Sequence, residues 1–480
     1  MASSPDATTR PLEHDSAAAL PLEPHDGGVL YVTGEHLATA GARSLATGPL
    51  GRTILRVALP AVASMLLMTI FSSVDAYWVG TRIGSAGLAA VTGSIFWVWL
   101  VVSIAEMVSV GLTAVAARRH GERRPAEAAR VSSDALVLSL VLGVGAALVG
   151  LALLPGLFAV MRTPPDVTAL GQQYLGTYLL GAPLIFGFFV VDATFRAAGD
   201  TRTPFLLLST SVAATLVLDP VLILGLVGGP ALGIRGTAIA TLATRGMVFA
   251  IGLVLLRRRR MIAFGAPRAA SIAAILRVGL PTAATGVAFA LIYVVIARIA
   301  TPFGTPALAA LGIGHRVESW LFMVGVGVAA AVAAIVGQSL GAGDPARAAR
   351  AGWVSVGYVS VIGVLVFLAQ LLFAPAMASL FTNDPLVVAE GAKYLRIAAL
   401  SQLFITAEIV LEGALGGAGA TLPPMITSTS ITALRIPLAM LSVARWGTAG
   451  LWWTISLTAV GRAVAMMALW RSGRWRRRSL

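Results

Sequence analysis

The chain has no cysteine and a single lysine, and only 12% of its 480 residues are charged. Without cysteine there is no disulfide framework and no thiol nucleophile. A soluble domain of this length needs about twice that charge to cover its surface. The five histidines are scattered. His315, which falls within an apolar run, has no partners at ligand spacing, so no metal site is expected. No apolar core of signal-peptide length follows a basic start, so no cleaved leader is expected.

What is present is apolar. Hydrophobic residues make up 57% of the chain and the mean hydropathy is +0.87. The net charge of +14 comes from arginines in short clusters between apolar runs, such as Arg118, Arg119, Arg123 and Arg124, then Arg257 to Arg260, then Arg471 to Arg478. A basic protein invites a nucleic-acid reading. Basic clusters between membrane spans have a simpler cause, because cytoplasmic loops collect arginine and lysine.

A span needs about 20 mostly apolar residues. Twelve such runs are present, near 53–79, 88–116, 131–159, 168–196, 203–227, 233–256, 272–300, 306–338, 351–377, 387–415, 422–444 and 447–470. The expected fold is an all-α membrane protein, since a lipid-facing backbone must satisfy its own hydrogen bonds. Basic loops after runs 2, 6 and 8 and at both ends predict cytoplasmic termini and a plasma (inner) membrane location. Residues 1–48 are polar and rich in alanine and proline, and read as a disordered cytoplasmic tail.

The chain repeats itself at an offset of about 220 residues. Leu55-Arg56-Val57-Ala58-Leu59-Pro60 returns as Leu276-Arg277-Val278-Gly279-Leu280-Pro281, and Pro125-Ala126-Glu127-Ala128-Ala129-Arg130 as Pro345-Ala346-Arg347-Ala348-Ala349-Arg350. Ala198-Gly199-Asp200-Thr201 returns as Ala418-Gly419-Ala420-Thr421. Six runs separate the copies, so both cross the membrane in the same sense. Parallel repeats imply two six-helix lobes about a pseudo-two-fold axis along the membrane normal. The lobes are expected at 49–256 and 272–470, joined by a cytoplasmic linker at 257–271 and followed by a basic tail at 471–480.

Several residues stand at conspicuous depth. A carboxyl group inside a span costs about 2.5–3.5 kcal/mol on insertion scales, which makes it a functional candidate. At 1.5 Å per residue, Asp75, Tyr174, Asp219 and Thr237 fall within roughly 6 Å of one depth, in the outer part of the first lobe. Thr215 precedes Asp219 by one turn and shares its face. Two carboxyl groups in one lobe can share a proton or hold a sodium ion. They can equally be an interfacial aspartate and a helix-to-helix hydrogen bond. Pro60 lacks an amide hydrogen and can kink the first span, either statically or as part of a conformational change. Ile296 and Ala297 occupy the repeat position of Asp75, so the second lobe is expected to lack the acid.

A mostly apolar cavity with a few carboxyl groups suits amphipathic cations. Met65, Met68 and Phe71 are candidates to line it, and so are Phe186, Phe189 and Phe289; all could also be ordinary packing. Glu318, Glu408 and Arg435 are further candidates. Glu408 and Arg435 could instead pair with each other, and His315 is expected to be a buried structural histidine. Arg245, Arg298 and Arg316 also fall inside spans, which leaves room for anionic substrates.

The run Leu59-Pro60 … Val74-Asp75 … Val79-Gly80 … Gly84 … Leu88-Ala89-Ala90 resembles the first span and loop of multidrug and toxic compound extrusion (MATE) transporters. So do Arg196-Ala197-Ala198-Gly199-Asp200-Thr201-Arg202-Thr203-Pro204, Leu218-Asp219-Pro220, Gly236-Thr237-Ala238 and Val336-Gly337-Gln338-Ser339-Leu340-Gly341. The resemblance implies a two-lobed exporter that swaps substrate for protons or sodium. Aspartates in spans 1 and 5 imply the DinF-like subgroup and a site of Asp75, Tyr174, Asp219 and Thr237, with Thr215 where the subgroup has asparagine. The expected partners are small-molecule substrates, protons or sodium and membrane lipid, with no nucleic acid; no cofactor beyond the coupling ion is expected, and the chain is expected to be a monomer. A lipid-linked oligosaccharide flippase of similar architecture is the alternative. A channel is a further rival. A membrane enzyme would need paired histidine and carboxyl groups at helical spacing, which are not found, so the chain is not expected to be an enzyme.

Overall fold

A computed structural model describes residues 45–83, 85–161, 165–226 and 231–477. The expected tail at 1–48 lies outside this except for 45–48. The described residues are almost wholly helical. In chain order the helices are α1 (Leu50–Arg82), α2 (Ser85–Gly121), α3 (Pro125–Met161), α4 (Pro165–Leu180), α5 (Ala182–Ala197), α6 (Arg202–Leu224) and α7 (Ile234–Arg258). After the linker come α8 (Ala269–Ala300), α9 (Thr305–Gly341), α10 (Pro345–Ser379), α11 (Pro385–Gly417) and α12 (Leu422–Arg471).

Among the described residues, ten helices are long and apolar enough to cross a membrane. Two local breaks explain why ten helices serve twelve spans. α4 and α5 form one span bent by 52°. Pro183 stands at the start of α5, where it cannot donate to the preceding turn and pushes its carbonyls away. α12 has 50 residues, about 75 Å of helix against an apolar bilayer core of about 30 Å. It is interrupted at Gly447, whose φ of 56° and ψ of −141° are not helical. Only a residue without a Cβ takes that conformation readily, so α12 is two spans meeting at a glycine hinge. Gly233, between α6 and α7, has nearly the same angles (φ 53°, ψ −131°). The expected spans are otherwise found within a few residues.

The repeat is visible in the turns. Gly199 and Gly419 both have positive φ, and Arg123 holds at φ 59° the left-handed position that Gly343 holds in the second copy. Ser64 donates to the Pro60 carbonyl at 2.9 Å, as Thr285 does to Pro281 at 3.0 Å. Both hydroxyls bond back to the carbonyl four residues earlier, a contact that tends to bend a helix, and α1 stays helical through Pro60.

The two lobes meet at the end where the chain termini emerge. A Cβ added to Gly111 would collide with the Ile275 carbonyl, and one on Gly279 with the Met107 carbonyl. Gly121 abuts the Gln338 carbonyl and Gly341 the Arg118 carbonyl. Backbone-to-backbone contact of this kind requires glycine. About two turns farther along α8, a Cβ added to Gly286 would meet, among the described residues, only the Ser103 hydroxyl of α2, in ordinary contact at 3.6 Å, so the backbones diverge away from the termini. Gln338 ties this end together. Its Oε1 accepts from the Leu45 amide at 2.8 Å and its Nε2 donates to the Ala197 carbonyl at 2.7 Å. Arg347 adds donations to the carbonyls of Leu45, Thr47 and Gly48.

Candidate functional site

In the first lobe, α1 carries Asp75, α4 Tyr174, α6 Thr215 and Asp219, and α7 Thr237. Asp219 is fully buried, and among the described residues neither of its carboxyl oxygens has a hydrogen-bond partner. Asp75 is half-buried, and its Oδ1 is likewise enclosed and unpartnered. The two carboxyl groups are within electrostatic range of each other, and Tyr174 is within range of both. Tyr174 stacks on Tyr178, centroids 6.4 Å apart, against a small cluster that includes Val79, Val91 and Ile234.

The hydroxyls of Thr215 and Thr237 bond to other groups. Thr237 Oγ1 donates to the Ile234 carbonyl at 2.9 Å. Thr215 Oγ1 bonds the Ser211 carbonyl at 2.8 Å and lies 2.7 Å from Thr244 Oγ1. Neither threonine reaches Asp219. Threonine hydroxyls that spend their proton on a helical carbonyl keep lone pairs free to accept. A buried carboxyl group with both oxygens bare is costly, roughly 1–3 kcal/mol for an unmet acceptor and more when charged. A cation arriving at Asp219 would relieve that cost. Among the described residues no group of three or more histidine, cysteine or acidic side chains could hold a metal ion.

The apolar candidates Met65, Met68 and Phe71 are half-buried along α1. Met68 faces α7, where Arg245 Nη2 donates to its sulfur at 2.8 Å. The Arg245 guanidinium also lies 4.7 Å from the centre of the Phe188 ring, and its Nη1 is buried without a partner. Phe186 is fully buried and Phe189 half-buried in one packed cluster. Pro60 lies nearer the termini on α1, four turns from Asp75.

The second lobe holds charges that the sequence placed only in part. No acid stands at the repeat position of Asp75, but Glu318 reaches in from α9 and accepts from the Tyr394 hydroxyl at 3.2 Å. Tyr394 is the repeat mate of Tyr174. Glu408 lies in range of Arg435 but forms its ion pair with Arg462, at 3.2 Å and with both side chains about 5% exposed. Arg462, inside the last expected span, was not singled out from the sequence. His315 is exposed rather than buried, with its ring 5.7 Å from that of Tyr293. It sits at a position on α9 that neighbouring helices leave uncovered.

Comparison with known proteins fits the two-lobed fold. The MatE family model matches residues 60–221 and 281–441, one match per lobe. The chain is 29% identical over 448 residues to a Thermotoga maritima protein named "Probable multidrug resistance protein NorM", covering 89% of this chain and 94% of that one. It is 27% identical over 427 residues to a Shewanella oneidensis protein named "FAD transporter", with 88% and 94% covered. Its fold matches that of the Vibrio cholerae MATE transporter VcmN with a TM-score of 0.82 at 21% identity, covering 92% of this chain and 100% of the other.

Proposed function

The chain belongs to the MatE family of multidrug efflux transporters, and on that premise we propose that it is an antiporter exchanging amphipathic organic cations for protons or sodium. The observation that supports coupling is Asp219, fully buried with both oxygens bare and within range of the half-buried Asp75. Two such groups cannot both be charged at low cost without a cation between them. Binding a proton or a sodium ion there changes the charge that α1 and α6 present to each other.

The lobes are closed at the terminal end and diverge beyond it. With both termini cytoplasmic, as the arginine distribution supports, this is an outward-open state in a bacterial inner membrane. Transport then requires the glycine contacts between α2, α8 and α9 to separate while the opposite end closes. The site is complete within one chain, so a monomer suffices. The oligosaccharide flippase reading is not favoured, because the curated relative of 29% identity is named for multidrug resistance. Purified protein in liposomes preloaded with a fluorescent organic cation tests the proposal. An imposed proton or sodium gradient should drive the dye out, and efflux that ignores both gradients would refute it.

A further inference from the structure

The second lobe differs from the first in carrying a buried guanidinium beside its interior carboxyl groups. The repeat offset maps Thr215 onto Arg435 and Tyr174 onto Tyr394. Gly233 and Gly447 share their backbone geometry, and Thr244 and Thr458 each lie eleven residues farther on. The Thr215–Thr244 contact of 2.7 Å is therefore mirrored by Arg435 Nε donating to Thr458 Oγ1 at 2.9 Å. Where the first lobe has a neutral hydroxyl beside bare carboxyl groups, the second has a guanidinium.

That guanidinium is incompletely satisfied. Arg435 is 1% exposed. Among the described residues, beyond Thr458 it reaches only the Ile455 carbonyl, through Nη2 at 3.4 Å, and Nη1 is buried with no partner. Among the described residues no carboxyl group is at ion-pair distance from it. Glu408 is held by Arg462, and Glu318 accepts from Tyr394. A buried cation without a contacting counter-ion costs several kcal/mol, and an arriving anion would recover part of it through charge-assisted hydrogen bonds.

The surroundings are aromatic. Tyr293 lies under Arg435 at 5.5 Å, Phe289 under Arg462 at 4.5 Å, and the two rings stack at 5.7 Å. Both rings are half-buried. They lie on the α8 face that carries Gly279 and Gly286. Gln402 is fully buried beside Glu318.

We infer that the second-lobe chamber binds the anionic group of an organic substrate, a carboxylate or phosphate carried on a planar ring, with Arg435 Nη1 as its anchor and Tyr293 and Phe289 as the ring platform. The inference rests on the transporter reading for its meaning and names Arg435 as the residue that selects substrates carrying an anionic group. Its test is equilibrium binding, which is independent of ion coupling.

Two xanthene dyes of one scaffold, anionic fluorescein and cationic rhodamine 6G, are titrated against the purified full chain by fluorescence anisotropy. Wild type should bind both. Arg435→Gln should weaken fluorescein about tenfold, the scale of a lost charged hydrogen bond, and change rhodamine 6G less than about twofold. Arg435→Lys keeps the charge but loses the fork, should fall between, and serves if the glutamine variant does not fold. Absence of fluorescein binding by wild type, or equal fluorescein affinity in all three proteins, overturns the inference. So does a parallel loss for both dyes, which marks a structural arginine. Failure of gradient-driven efflux would count against the coupling proposal and leave the binding result standing.

Discussion

Glu408 on α11 and Arg462 on α12 form an ion pair at 3.2 Å with both side chains nearly fully buried. Arg462 also donates to Thr432 at 3.2 Å and lies over Phe289. The pair joins two helices across the interior of one lobe. Its partners have been removed from solvent together, so it is worth more as a pair than either member alone.

Removing one partner strands the other in a low-dielectric interior, at a cost of about 3–5 kcal/mol. Arg462→Met alone should therefore lower the melting temperature of the detergent-purified protein sharply. Adding Glu408→Gln should restore most of the loss. Additive losses in the double variant would show that the two side chains do not act as a pair.

The contact between lobes at the terminal end depends on missing Cβ atoms. Gly341→Val would drive a side chain into the Arg118 backbone. Because the chain has no cysteine, a single introduced thiol reports on this region. Ser339 is fully buried, so Ser339→Cys should react slowly with a maleimide. In the Gly341→Val background it should react about tenfold faster or more, the expectation for a contact held open. Equal rates would mean that the glycine does not hold this end shut.

Arg347 gathers the carbonyls of Leu45, Thr47 and Gly48, fixing the segment ahead of α1 to the start of α10. Hydrogen bonds from a charged donor contribute about 1.5–3 kcal/mol each. Arg347→Ala should speed amide hydrogen exchange in residues 45–49 while leaving the middle of α10 unchanged. Unaltered exchange at 45–49 would show that other contacts hold the segment.

Much of this was legible in the sequence because membrane spans leave strong signals. Asp75 and Asp219 stood out as isolated acids in apolar runs, and the repeat made the two lobes visible through Pro60 and Pro281. Arg462 was not legible. Its repeat mate is Val248, so the duplication gave no hint, and the basic end of the chain lies close by. Glu318 was noticed but not placed, because the repeat puts no acid beside Tyr394; the packing of α9 against α11 brings it there. The bend between α4 and α5 was hidden too, since Gly181 and Pro183 fall inside a run whose hydropathy is continuous.

The central claim is that Asp219, with Asp75, holds the coupling cation. The direct measurement compares two modes of transport in liposomes containing wild type, Asp219→Asn or Asp75→Asn. One is efflux of a fluorescent cation driven by a proton or sodium gradient, and the other is dye-for-dye exchange without any gradient. Both variants should lose gradient-driven efflux while retaining exchange. Gradient-driven efflux at the wild-type rate in both variants would contradict the account.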